Sequence, residues 1–196
     1  MHLAFDIFQG IGIAAAVGIR PFLPALLAGV LAAGDVEIHF NHTSYSFLQS
    51  WPFLLAMVLA AIALASLERR LGRTRAEAVP ALATLGVIGA ALGALMFAGS
   101  LARGHYVAWP GWIGGVACAA LALAATRPLF VRVRARLDDA TAGALPLYAE
   151  AIGLIVAGLS IVAPPLGPVA LLLLIWLLLA GRRREGQKYA GLRILR

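Results

Sequence analysis

Three charged side chains stand in apolar surroundings where a charge needs a reason: Arg20, Glu150 and Glu68. Arg20 lies in Gly18-Ile19-Arg20-Pro21-Phe22-Leu23-Pro24, and residues 7–34 carry no other charge. A guanidinium offers bidentate, charge-assisted hydrogen bonds to a carboxylate or a phosphate. Pro21 and Pro24 each remove a backbone donor, so a break or kink is expected near residue 20. The break frees carbonyls of the first half-helix, which Arg20 is placed to hydrogen-bond. Pro21 suits the first position of a second half-helix, whose N-terminus carries positive dipole. Arg20, Pro21 and Pro24 together predict an electropositive ligand site for a lipid phosphate or small organic anion. The competing reading is a charge that snorkels outward or pairs with a buried acid.

Glu150 is the natural partner. It begins a run with no further charge until Arg182. A carboxylate there is costly unless paired or protonated, which would suit a coupling group. The plainer reading is an interfacial acid near a helix start. Glu68 closes another apolar run beside Arg69 and Arg70. It reads as a solvated helix-end charge, with a secondary place in the site. Arg127, in the Arg127-Pro128 pair, is a second such residue. Asp6 favours the dipole at the start of helix one and needs no other role.

Other constellations are weak. His39 and His42 stand three apart in an outer loop with Asp35 and Glu37, which reads as an ordinary polar loop rather than a metal site. There is no P-loop, GxSxG, HExxH or paired catalytic carboxylate, so no enzyme is indicated and neither a metal nor a cofactor is expected. Cys118 is the only cysteine, which excludes an internal disulfide and a CxxC site.

The elements that must position these residues are membrane helices. Of 196 residues, 62% are hydrophobic and 13% charged, and mean hydropathy is +0.91. A soluble domain of this size could not hide that much apolar surface. The net charge of +7 would suggest nucleic acid in a soluble protein. Here the arginines cluster in short loops, which points to membrane topology and away from nucleic acid. The start, MHLAFDIFQG, has no Lys or Arg ahead of its apolar stretch, so the first helix is expected to be retained.

Apolar runs fall near 7–34, 50–67, 79–101, 109–126, 145–163 and 166–181, which predicts an all-α polytopic fold of about six crossings. Four basic residues fall in 68–78, four in 127–140 and six after Gly181, against Arg103 alone in the opposite loops. That bias predicts a multi-pass protein of the cell inner membrane with both termini cytoplasmic. Residues 1–181 read as a single transmembrane domain and 182–196 as a basic cytoplasmic tail. The Ala, Arg and Gly bias looks bacterial. Residues 129–137 read as a cytoplasmic elbow able to touch anionic headgroups.

The halves echo each other. Gly18-Ile19-Arg20-Pro21-Phe22 resembles Ala125-Thr126-Arg127-Pro128-Leu129, and residues 50–66 can be laid on 144–160. This predicts two three-helix inverted repeats, about 1–101 and 102–181, a plan common in secondary transporters. Gly86, Gly89 and Gly93 include a GxxxG spacing that suits close packing inside the chain or across a homodimer.

Three stretches also carry a family resemblance: Gly18 through Pro24, Ser50-Trp51-Pro52 leading to Leu67-Glu68, and Thr141-Ala142-Gly143 through Pro146 to Glu150. On these the chain resembles the bacterial integral membrane proteins catalogued as domain of unknown function 4126. The resemblance spans most of the chain and implies a membrane protein in which Arg20, Glu68 and Glu150 matter, without implying an activity. The expectation is therefore a small membrane transporter or lipid-handling protein with an anionic ligand. The alternative is a non-transporting structural or assembly partner. Membrane lipids are the expected partners in either case.

Overall fold

The computed structural model describes residues 2–70, 79–137, 141 and 143–192. Arg73, Arg75, Arg193 and Arg196, counted above on the basic side, lie outside the described residues. The described residues form seven α-helices and a short 3-10 helix, with no strand among them. The helices are α1 (His2–Ile19), α2 (Phe22–Ala33), α3 (Trp51–Arg70), α4 (Val79–Arg103), α5 (Trp109–Arg134), α6 (Leu145–Val162) and α7 (Leu166–Leu192). The 3-10 turn, Ser46–Gln49, precedes α3. Among the described residues four segments are long and apolar enough to cross a membrane: Trp51–Glu68, Ala83–Arg103, Trp109–Arg134 and Leu145–Val162. Leu3–Ile19, Phe22–Ala33 and Leu166–Gly181 are apolar but shorter. The fold is all-α and fits a membrane protein.

α1 is the axis of the bundle. It packs against α4, α5, α6, α7 and α2, and every residue from Ile13 to Val17 is fully buried. Its run of glycines and alanines lets backbones meet. A Cβ on Gly18 would lie 2.3 Å from the Ala119 carbonyl oxygen, and one on Gly167 would lie 2.1 Å from that of Phe8. In the GxxxG of α4, Gly89 faces the Val17 carbonyl, and Gly93 packs between Ala14 and Gly115. These small residues are taken up inside the chain, where van der Waals contact, not hydrophobic exclusion, holds helices together in lipid. By contrast no residue of Trp51–Glu68 in α3 is buried.

The break expected near residue 20 is a reversal: the sequence left residues 21–34 open between a re-entrant half-helix and the outer end of a tilted one. α1 stops at Ile19 and the chain reverses, so that α2 runs back antiparallel to it. The register shows this: α6 meets α1 near Gly12 at its Ser160 end and near Ala16 at Gly153, while it meets α2 at Pro24 near Gly153 and at Leu27 near Gly158. The physical reason is local. Pro21 cannot donate to the Val17 carbonyl, which ends the ladder of α1. Pro24 falls in the first turn of α2, where backbone N–H groups have no helical partner, so its missing donor costs little there.

Arg20 lies at the end of the bundle where α3 finishes and α6 begins. Asp6 lies at the other end, ion-paired to Arg103 of α4, whose Nη1 also donates to the Glu37 carbonyl at 2.8 Å. The N-terminus thus shares an end with the Arg103 side. α7 runs parallel to α1, with Gly167 at Phe8 and Leu174 packed with Ala15 and Ile19. The start of α1 and the end of α7 therefore lie at opposite ends of the bundle, not at one end as an even number of passes would give.

The expected repeat is not simply met, because its first crossing is divided between α1 and α2, of which α2 opposes α5 and α1 does not. The pairing would set α1 on α5, α3 on α6 and α4 on α7. α1 and α5 run the same way, whereas α3 opposes α6 and α4 opposes α7. The two Arg-Pro pairs differ too, since Pro21 caps a turn while Pro128 sits inside continuous α5. Past Gly181, α7 continues as helix to Leu192.

Candidate functional site

The Arg20 backbone N–H still donates to Ala16 at 3.1 Å, so the residue finishes the last turn of α1. From there its side chain reaches two other helices. Nη1 donates to Glu68 Oε1 of α3 at 2.7 Å, and Nε stands 3.7 Å from Glu150 Oε1 of α6. The three side chains are 14, 27 and 21% exposed, so the cluster is partly sheltered from solvent.

Each neighbour has a reason to be there. Glu68 lies in the last turn of α3, where the helix dipole disfavours a negative charge, and Arg20 offsets that. Glu150 lies beyond the first turn of α6, too far in for the dipole to help much. Its Oε2 is buried with no hydrogen-bond partner. Gly153, one turn further along α6, has the Arg20 Cβ 3.7 Å and the Pro24 Cγ 3.0 Å from where its own Cβ would stand. A larger residue would lift α6, and Glu150 with it, away from the reversal. Pro21 and Pro24 are buried and shape the turn; neither presents a polar group.

The structure thus brings together Arg20, Glu68 and Glu150, with Pro21 and Pro24 beneath them. Glu68, read from sequence as a solvated helix-end charge, is the closer of the two acids. Arg127 is exposed on α5, outside the cluster.

No family model matches the chain, and neither a curated protein nor a solved structure does. Function has to be read from the cluster itself. One guanidinium stands between two carboxylates, so with all three ionised the cluster carries a net negative charge.

At the opposite end the sequence assigned no role to Gln9 and only a helix-dipole role to Asp6, yet both are buried. Asp6 is 3% and Gln9 1% exposed. Gln9 Nε2 donates to the Ile161 carbonyl at 3.3 Å. The residue four further on from Ile161 is Pro165, which has no N–H to give, so Gln9 supplies the missing donor. Asp6 and Gln9 are three apart on an otherwise apolar helix, and that spacing places both on one face. Among the described residues no group of three or more His, Cys, Asp and Glu side chains is placed to hold a metal ion.

Proposed function

We propose that the protein is a small multi-pass membrane transporter whose exchangeable species at Arg20–Glu68–Glu150 is a cation, in the simplest case a proton. The observation that carries this is the ratio of one guanidinium to two carboxylates in a bundle of apolar helices. Intramembrane charge is expensive and tends to mark ion pathways. A site with one negative charge in excess attracts a cation and repels an anion. An anion could take the Arg20 guanidinium only by displacing Glu68 at 2.7 Å, and would then face both carboxylates. The anionic ligand expected from the sequence fits this arrangement less well than a proton shared between the two acids.

The test is flux. Protein reconstituted into liposomes holding a pH-sensitive dye should acidify the lumen when a potassium diffusion potential, negative inside, is imposed. Glu150→Gln should abolish the acidification while the protein remains inserted and monodisperse. Acidification no faster than in protein-free liposomes would sink the transport reading. The structural alternative would then stand, in which the guanidinium only ties the α1–α2 reversal to α3 and α6.

The orientation follows from the basic residues. The positive-inside rule places the Arg20 end, with Arg132, Arg134 and the end of α7, in the cytoplasmic half of the inner membrane. With α1 and α2 as a hairpin, the N-terminus then faces the other side. A reporter that fluoresces only in the cytoplasm should work when fused to the C-terminus and stay dark at the N-terminus and within residues 35–49. Fluorescence from the N-terminal fusion would rule out this arrangement.

A further inference from the structure

Near the basic end of the bundle, between α5 and α7, lies a cavity of about 210 Å³. Ala124, Ala125, Leu177 and Leu178 form its apolar walls, and Arg132 and Gly181 line it toward that end. α5 and α7 run in parallel here, so the cavity is a groove along both. Small side chains make the room. At Gly181 even a Cβ would come within 3.0 Å of Arg132 Nη2.

Arg132 is held in place. Its Nε donates to the Pro128 carbonyl at 3.0 Å, which leaves the two terminal nitrogens on the Gly181 side. This arginine differs from Arg20 in its company. The sequence has no acidic residue between Arg103 and Leu137, nor between Ala151 and Arg184. Arg127, Arg134 and Arg136 add to the positive charge of the same stretch. Asp138 and Asp139 follow α5 and Glu185 lies on α7, but Arg127, Arg132, Arg134 and Arg136 with Arg182, Arg183, Arg184 and Lys188 outnumber them, so this end of the two helices attracts an outside anion.

The groove fits an amphiphile. Its walls offer nothing to a soluble anion, and a lipid without net charge would give the guanidinium no net partner. We propose that the α5–α7 groove binds one anionic phospholipid, with its phosphate on Arg132 and part of an acyl chain against Ala124, Ala125, Leu177 and Leu178. The site stands apart from the Arg20 cluster and does not depend on the transport reading.

The experiment uses the full-length protein in a neutral detergent. It is incubated with equimolar phosphatidylglycerol and phosphatidylcholine of identical chains and weighed intact by native mass spectrometry. Wild type should retain phosphatidylglycerol over phosphatidylcholine by about fivefold or more, the scale set by one arginine near a headgroup. Arg132→Gln should remove that preference while lipid is still carried. Gly181→Leu, which fills the groove, should lower retention of both lipids. Arg136→Gln, an exposed charge outside the groove, should leave the preference unchanged. Free glycerol phosphate should not displace the bound lipid. The proposal is overturned if wild type shows no preference, if Arg132→Gln keeps it, or if Arg136→Gln removes as much of it as Arg132→Gln. It is also overturned if glycerol phosphate empties the site. Should one groove variant fail to fold, the other decides.

Discussion

Arg20→Ala should destabilise the protein by about 3–5 kcal/mol, the range for stripping one partner from a sheltered ion pair. The loss comes less from the missing attraction than from what remains. Glu68 and Glu150 would face each other across the gap, with one carboxylate oxygen of Glu150 already buried and unpartnered. Unfolding in mixed micelles with rising denaturant measures the change. Neutralising all three positions, as Arg20→Met with Glu68→Gln and Glu150→Gln, should recover most of the stability, because no uncompensated charge is left. Arg20→Lys should recover only part, since a point charge cannot hold acids on two helices as a planar fork does. The triple variant separates stability from transport: it should fold and carry no protons. An Arg20→Ala protein that unfolds at the wild-type midpoint would show the cluster to be energetically idle.

The second large effect is steric. Gly18→Ala should cost about 1–3 kcal/mol or more, the usual penalty of overpacking. Its Cβ would stand 2.3 Å from the Ala119 carbonyl oxygen and 2.6 Å from the Ala119 Cα. Both are backbone atoms of α5, so no side chain can swing aside and the helices themselves must part. Gly34→Ala is the matched control. Its nearest neighbours would be 3.6 Å away and its φ is −90°, so the change should fall within about 0.5 kcal/mol of wild type. The same unfolding midpoints report both variants. Equal effects at the two positions would mean that the α1–α5 contact is not tight in the membrane.

Most helices were legible because apolar length is a one-dimensional property. The runs at 50–67, 79–101 and 145–163 lie close to α3, α4 and α6. α5 outran its apolar stretch, reaching Arg134 through Pro128. A proline inside a helix removes one donor and crowds one carbonyl, and α5 absorbs this where the sequence suggested an elbow. Residues 7–34 were harder. An arginine-proline pair in an apolar segment marks a break, but a kink and a full reversal write the same local sequence. What selects the reversal is distant: the acids on α3 and α6, and Gly153, which lets α6 close on the turn. The candidate site was legible in its members and in the approach of Glu150 to Arg20, but not in the closer pairing of Arg20 with Glu68. Glu68 followed by two arginines looks like a surface charge, and only the fold reveals that the Arg20 side chain reaches it. Asp6 was read as serving only the helix dipole and Gln9 was passed over, because single polar residues near a helix start ordinarily face water.

The position of α1 at the centre of the bundle has a consequence for the order in which the chain is made. α1 is made ahead of the five helices that pack on it, α2, α4, α5, α6 and α7. Glu68 follows Arg20 by 48 residues, an interval of roughly 2–10 s at ordinary elongation rates. Gln9 and Ile161 are separated by 152 residues, which takes roughly 8–30 s. Until α4 and α5 are made, the glycine and alanine faces of α1 that they cover have only lipid or an insertion factor beside them. Lipid tolerates this well, since its tails are as apolar as the helices still to come. The Arg20 guanidinium is not tolerated so easily, and Glu68 is the first acid to reach it. α1, α2 and α3 can therefore neutralise one another before α6 exists, so Glu150 arrives as a second carboxylate at a guanidinium already engaged.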